Sequence, residues 1–189
     1  MLPASLLVLA VVIFRCAVGA ADNEVLRVLG NFSPLAAVAV CSGAMFPRKW
    51  CLLVPVLAQI LSDVGLHLLG KPISVAFSAV LVIVYVAIAL VGLIARKQLT
   101  PLKLLGASII GTLLFYVLTN SWCWLEDPGY AKTLAGWVQS LTTGLPGYPP
   151  TYLFLFKSLG GDLFFTGLIA FLVTRSEPEP EAVAKPAEA

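Results

Sequence analysis

Residues 50–69 read WCLLVPVLAQILSDVGLHLL. About 20 apolar residues span the roughly 30 Å hydrocarbon core of a bilayer, so this stretch predicts a transmembrane helix. It nevertheless holds Asp63 and, four positions later, His67, the only histidine in the chain. A charged group at the centre of such a helix costs at least about 2.5–3.5 kcal/mol. The pair therefore needs partners or a task, and other parts of the chain must supply them.

The composition agrees with a membrane setting. The 189 residues are 59% hydrophobic and 12% charged, with a mean hydropathy of +0.95. A soluble domain carries about 45–50% apolar and about 25% charged residues, so the excess belongs to lipid-facing surface. A net charge of +2 supplies no basic field for nucleic acid. Cys16, Cys41, Cys51 and Cys123 show no paired spacing and read as small apolar residues, not as a disulfide framework or zinc site. The sequence contains no GxxxxGK[ST], HExxH or GxSxG run.

On either side of residues 50–69 lie five further apolar segments: residues 2–20, 32–46, 73–95, 102–118 and 151–173. The expected fold is an all-α membrane protein, with six transmembrane helices in one domain over residues 1–175. Between the fifth and sixth spans lies a polar-aromatic segment, residues 119–150. Within it, YAKTLAGWVQSLTTGL (130–145) has the period of a short amphipathic helix. The Pro/Glu/Ala-rich tail, residues 176–189, reads as disordered. Lys and Arg in short loops set orientation. Arg48, Lys49, Arg96, Lys97, Lys103 and Arg175 fall on one side, six against the four of Arg27, Lys71, Lys132 and Lys157. Both termini and the tail are thus expected on the cytoplasmic side. Segment 2–20 could instead be a cleaved signal peptide, since AVGAAD resembles a cleavage site, but it lacks a positive start and Arg15 interrupts it. The remaining topology is the same either way.

On this topology the ionisable residues within the spans, Arg15, Asp63, His67, Lys157 and Asp162, converge on the extracytoplasmic half. They lie below the loops that carry Asn120, Trp122, Trp124, Tyr130 and Lys132. Two classes of reading stand side by side. Arg15 with Asp63 or Asp162 is either a structural ion pair or part of a ligand pocket. Asp63 and Asp162 could cap helix breaks, as the glycine pair in LGGD suggests. Asp63 and His67 share a helix face, but two ligands make a thin metal site, and no metal or cofactor is expected. The tryptophans and Tyr130 are either an interfacial aromatic belt or pocket walls. Small residues at spacing four, Ser33–Ala37–Cys41, with Ala36 and Ala44 on a neighbouring line, let helix backbones approach closely, within the bundle or against another protein.

The segments NFSPLAAVAVCSGAMFPRKW (31–50), LVPVLAQILSDVGL (53–66), YAKTLAGW (130–137) and LGGDLFFTGL (159–168) resemble an uncharacterised family of small bacterial membrane proteins regarded as transport proteins. That family in turn resembles the S components of energy-coupling factor (ECF) vitamin transporters. The resemblance implies a six-helix bundle with an outward-facing pocket and a small-residue face that docks a transmembrane coupling subunit. Residues around Asn31, Asp63, Asn120, Trp124, Tyr130, Lys132 and Asp162 would then line or support the pocket, with Arg15 and His67 as further contacts. The docking face would comprise Ala36, Ala37, Val40, Cys41 and Ala44. No vitamin-specific signature is present.

The function expected from the sequence is therefore non-enzymatic: a small-molecule-binding transport subunit in the bacterial inner membrane, energised by ATPases in trans. The alternatives are a stand-alone ion- or proton-coupled transporter with Asp63 as carrier, and a structural or assembly protein without ligand. An intramembrane enzyme using Asp63 with Asp162 or His67 has too thin a constellation.

Overall fold

Prolines and hydroxyl side chains punctuate the chain into helices. In the structure, a computed structural model describing residues 4–20 and 34–175, no strand occurs among the described residues. The helices are α1 (Ala4–Ala20), α2 (Leu35–Met45), the single turn α3 (Arg48–Cys51), α4 (Leu53–Leu68), α5 (Val75–Ala95), α6 (Pro101–Glu126), α7 (Leu134–Leu141) and α8 (Thr151–Arg175). Phe46, forced out of helical geometry by the following proline, ends α2 in an extended conformation. Ser74, Thr100 and Thr133 cap α5, α6 and α7 by accepting from the amides of Phe77, Lys103 and Gly136. Asp127, just before Pro128, ends α6 in the same extended way as Phe46 ends α2.

Pro55 explains the break between α3 and α4. It has no N–H to give to the Cys51 carbonyl four positions back. The Ser42 hydroxyl on α2 donates to that carbonyl instead, at 2.8 Å. A buried backbone acceptor orphaned by proline is thus satisfied from another helix.

Four stretches are long and apolar enough to cross a membrane: Arg48–Leu68, Val75–Gln98, Pro101–Glu126 and Thr151–Val173. This is compatible with a multi-pass membrane protein, and large apolar side chains such as Ile83, Ile94, Leu102 and Phe156 cover its exterior. α1 and α2 are apolar but shorter. At about 1.5 Å per residue, the 11 residues of α2 rise roughly 16 Å, about half the hydrocarbon thickness. The segment expected as the fifth span is longer than the sequence suggests. α6 continues through Asn120, Trp122 and Trp124 to Glu126, so these residues are helical and not part of a loop.

α2 is the axis of the bundle. Every residue from Leu35 to Ala44 is buried, and the helix is packed by α4, α5, α6 and α8. Its closest approach is to α5, which runs parallel to it. A Cβ on Gly43 would lie 2.0 Å from the Ala89 carbonyl oxygen, and one on Gly92 would lie 2.1 Å from that of Val40. The backbones touch here, and only glycine permits it. The docking face expected at Ala36, Ala37, Val40, Cys41 and Ala44 is corrected accordingly. All five are buried inside the monomer, because α2 is apolar all round and is enclosed on every side.

α1 and α4 also run parallel, with Cys16 against Gly65 and Gly19 against Leu66. One end of the bundle carries Arg48, Arg96 and Lys103 and is called the basic end below. The opposite end, where α1, α4 and α6 finish, is called the distal end.

Candidate functional site

Arg15 on α1 and Asp63 on α4 reach each other because the two helices run side by side toward the distal end. The Arg15 Nη1 lies 3.7 Å from Asp63 Oδ1. Gln59, one turn before Asp63, joins them. It accepts from Arg15 Nη1 at 2.8 Å, and its Nε2 donates to Asp63 Oδ2 at 2.6 Å. Gln59 has no solvent exposure, while the Arg15 and Asp63 side chains keep 18% and 13% of theirs. The amide thus offers its acceptor to the cation and its donor to the anion. Such matching offsets the desolvation of a buried pair. Gln59 was missed by reading the sequence for charge. The available signal was a glutamine four residues before an aspartate inside an apolar span.

Asp162 on α8 is held by a second set of contacts. Only 4% exposed, it accepts from the Thr112 hydroxyl of α6 at 2.7 Å and from the backbone amide of Ala37. Ala37 lies in the first turn of α2, whose N-cap, Pro34, provides no side-chain cap. The carboxylate therefore caps a buried helix N-terminus from a neighbouring helix, where amides lack partners and the dipole favours negative charge. Asp162 does cap a helix, but the helix is α2 and not a break at its own glycine pair. Toward the basic end the polar seam continues, with the Ser108 and Thr166 hydroxyls 3.0 Å apart and Cys41 Sγ donating to the Thr166 carbonyl. Ser108, Thr112, Tyr116 and Thr119 fall on one face of α6, and all are buried. Among the described residues, no cation is paired with Asp162.

Tyr85 on α5 is within electrostatic reach of both sets, through Arg15, Asp63 and Asp162. It is 3% exposed and stacks on Phe115 with ring centroids 5.8 Å apart. One guanidinium, two carboxyls, a primary amide and a phenol are thus gathered in an apolar bundle. No group of three His, Cys, Asp or Glu residues able to hold a metal ion exists among the described residues.

The other sequence-predicted residues do not join this cluster. His67 is exposed near the end of α4, and Lys157 is exposed on α8. Asn31 lies outside the described residues. Asn120 donates to the Tyr116 carbonyl of its own helix. Trp124 Nε1 donates to the Ala131 carbonyl at 2.8 Å. Lys132 donates to the carbonyls of Trp124 and Asp127, so it satisfies acceptors at the end of α6 and complements the helix dipole. Tyr130 packs in the same loop, and burial, followed by Cys123 and Asp127, pushes its hydroxyl above the usual tyrosine range. These residues lock the α6–α7 connection. Trp137 adds to this by donating to Ser121 at 2.8 Å. The indole N–H of Trp122 is buried without a hydrogen-bond partner among the described residues.

Two apolar grooves flank α1. One, about 900 Å³, lies between α1 and α4, and the other, about 410 Å³, between α1, α2 and α8. Arg15, Asp63 and Asp162 line neither.

Comparison with known proteins gives a family and no more. Residues 1–181 match the family of unknown function DUF6580, and the chain belongs to that family. No protein with a curated description and no solved structure matches it.

Proposed function

We propose that this member of a family of unknown function is a membrane transport protein that takes up a small polar solute from the extracytoplasmic side, as an S-component-like binding subunit. The observation that supports the reading is the convergence of Arg15, Asp63 and Asp162 around Tyr85. Intramembrane ionisable groups gathered in a bundle interior mark solute or ion pathways. Arg15 and Asp63 would bind a zwitterionic or hydrogen-bonding solute by exchanging their mutual contacts for contacts to it. The basic end would face the cytoplasm of a bacterial inner membrane, with the cluster nearer the outer surface. A transmembrane coupling subunit and ATPases in trans would supply the energy. Because the small-residue face of α2 is internal, that subunit would dock on an outer face of the bundle.

A second reading is a stand-alone proton-coupled transporter. It is favoured by Asp162, a buried carboxyl with no cation paired to it among the described residues.

The test is a thermal-shift and native-mass screen of the purified full chain against vitamins, nucleobases, amino acids and metals. The binding reading expects stabilisation by one chemical class, lost in Asp63→Asn. The proton-coupled reading expects uptake in vesicles driven by a pH gradient and abolished by Asp162→Asn. If neither occurs, nothing co-purifies, and both variants merely lower the melting temperature, the cluster only locks the bundle and the proposal fails.

A further inference from the structure

The 900 Å³ groove between α1 and α4 plays no part in the reading above. Apart from Ser5, its lining is apolar, including Val8, Val12, Trp50, Leu57 and Leu61. The groove opens sideways, toward the surroundings of the bundle. α1 lines it from Ala4 to Val12, α3 supplies Trp50, and α4 lines it from Val54 to Leu68. At about 1.5 Å per residue the α1 wall is roughly 12 Å long and the α4 wall roughly 21 Å, long enough for an acyl chain to lie along them. The groove begins at the basic end. There Pro47 and Trp50 form its rim, and the next residues in the chain, Arg48 and Lys49, are exposed. Among the described residues, neither Arg48 nor Lys49 is paired with a carboxylate.

We propose that this groove is a binding site for an anionic phospholipid, with acyl chain against α1 and α4 and phosphate at Arg48 and Lys49. Charge and length together select this occupant. An apolar trough of this length accepts an acyl chain, and two unpaired cations at its mouth accept a phosphate. Basic pockets between membrane helices bind anionic headgroups in this way. Trp50, exposed at the mouth, occupies the level at which tryptophan meets lipid headgroups. A second copy of the chain is a poor occupant. A two-fold contact on this face would bring the Arg48 and Lys49 of one protomer toward those of its partner, and like charges would oppose each other.

The experiment uses the purified full chain in mild detergent, titrated with phosphatidylglycerol or phosphatidylcholine of the same acyl composition. Binding is followed by thermal shift and by retained adducts in native mass spectrometry. Phosphatidylglycerol is expected to bind preferentially. The double variant Arg48→Gln/Lys49→Gln should weaken it roughly 25-fold, at roughly fivefold per basic residue near an anionic lipid. Lys97→Gln/Lys103→Gln, which removes two cations from the same end but away from the groove, should leave the preference in place. Leu57→Trp, which fills the trough, should remove the adduct. Should that variant not fold, the two charge variants, altered only at exposed positions, still decide. Equal binding of both lipids overturns the proposal. So does an equal loss in both charge variants, or a dimer cross-linked through Trp50→Cys in lipid-free detergent.

Discussion

Replacing Gly92 by alanine adds one methyl group where α2 and α5 touch. The new Cβ would lie 2.1 Å from the Val40 carbonyl oxygen and 3.1 Å from the Ala44 amide nitrogen, whereas ordinary contact begins at 3.4 Å. The helices must therefore separate by up to about 1.3 Å, the difference between 3.4 and 2.1 Å. The obstacle is backbone on both sides, so no rotamer change relieves it. α2 is enclosed by three other helices besides α5, and moving it disturbs those contacts as well. Overpacking of a well-filled interior costs about 1–3 kcal/mol, and this site lies at the upper end of that range. Gly106 on α6 and Gly160 on α8 are the controls, because a Cβ there meets nothing within 4 Å. Alanine at either position should be neutral or stabilise by up to about 1 kcal/mol through helix propensity. The assay is thermal unfolding of each variant in the same detergent, followed by intrinsic fluorescence and by retention of a monodisperse peak after heating. Gly92→Ala should lower the midpoint while Gly106→Ala and Gly160→Ala hold or raise it. If Gly92→Ala is as stable as Gly106→Ala, the α2–α5 backbone contact is not what packs the bundle.

Three further outcomes follow from the same geometry. Gln59→Leu leaves Arg15 and Asp63 without their bridging amide and should cost about 1–3 kcal/mol, less when measured in an Asp63→Asn background. Additivity of the two changes in a double-mutant cycle would refute the bridge. Ser42→Ala should cost about 1–3 kcal/mol by orphaning the Cys51 carbonyl. In a Pro55→Ala background, where an amide can return to that carbonyl, the penalty should shrink; an undiminished penalty in thermal unfolding argues against the compensation. Lys132→Met should uncap the end of α6 by about 0.5–1 kcal/mol, seen as faster limited proteolysis around Pro128, with no effect on ligand responses that depend on Asp63.

Much of this molecule was legible in the residues alone. Length and hydropathy reveal helices of membrane-spanning length, and Ser74, Thr100 and Thr133 stand where three of the helices begin. The amphipathic period within 130–145 marks α7, observed at Leu134–Leu141. These features are local, because capping, proline geometry and periodicity act within a few residues. Partner choices are not local. Asp63 was equally free, in sequence, to pair from Arg15 or to share a pocket with Lys132 or His67, and only the parallel seating of α1 on α4 brings Arg15 and Gln59 to it. In sequence Lys132 and Trp124 were equally suited to a pocket; the extension of α6 to Glu126 brings the Trp124 and Asp127 carbonyls to Lys132 and the Trp124 indole to the Ala131 carbonyl. The small-residue face of α2 could have pointed outward or inward, and the sequence contains no sign of which. In a soluble protein water marks the outside and imprints a polar face on each helix. In a membrane protein lipid and interior are both apolar, so a helix such as α2 carries no such mark, and its place is decided only by which neighbours its glycines allow close enough to touch.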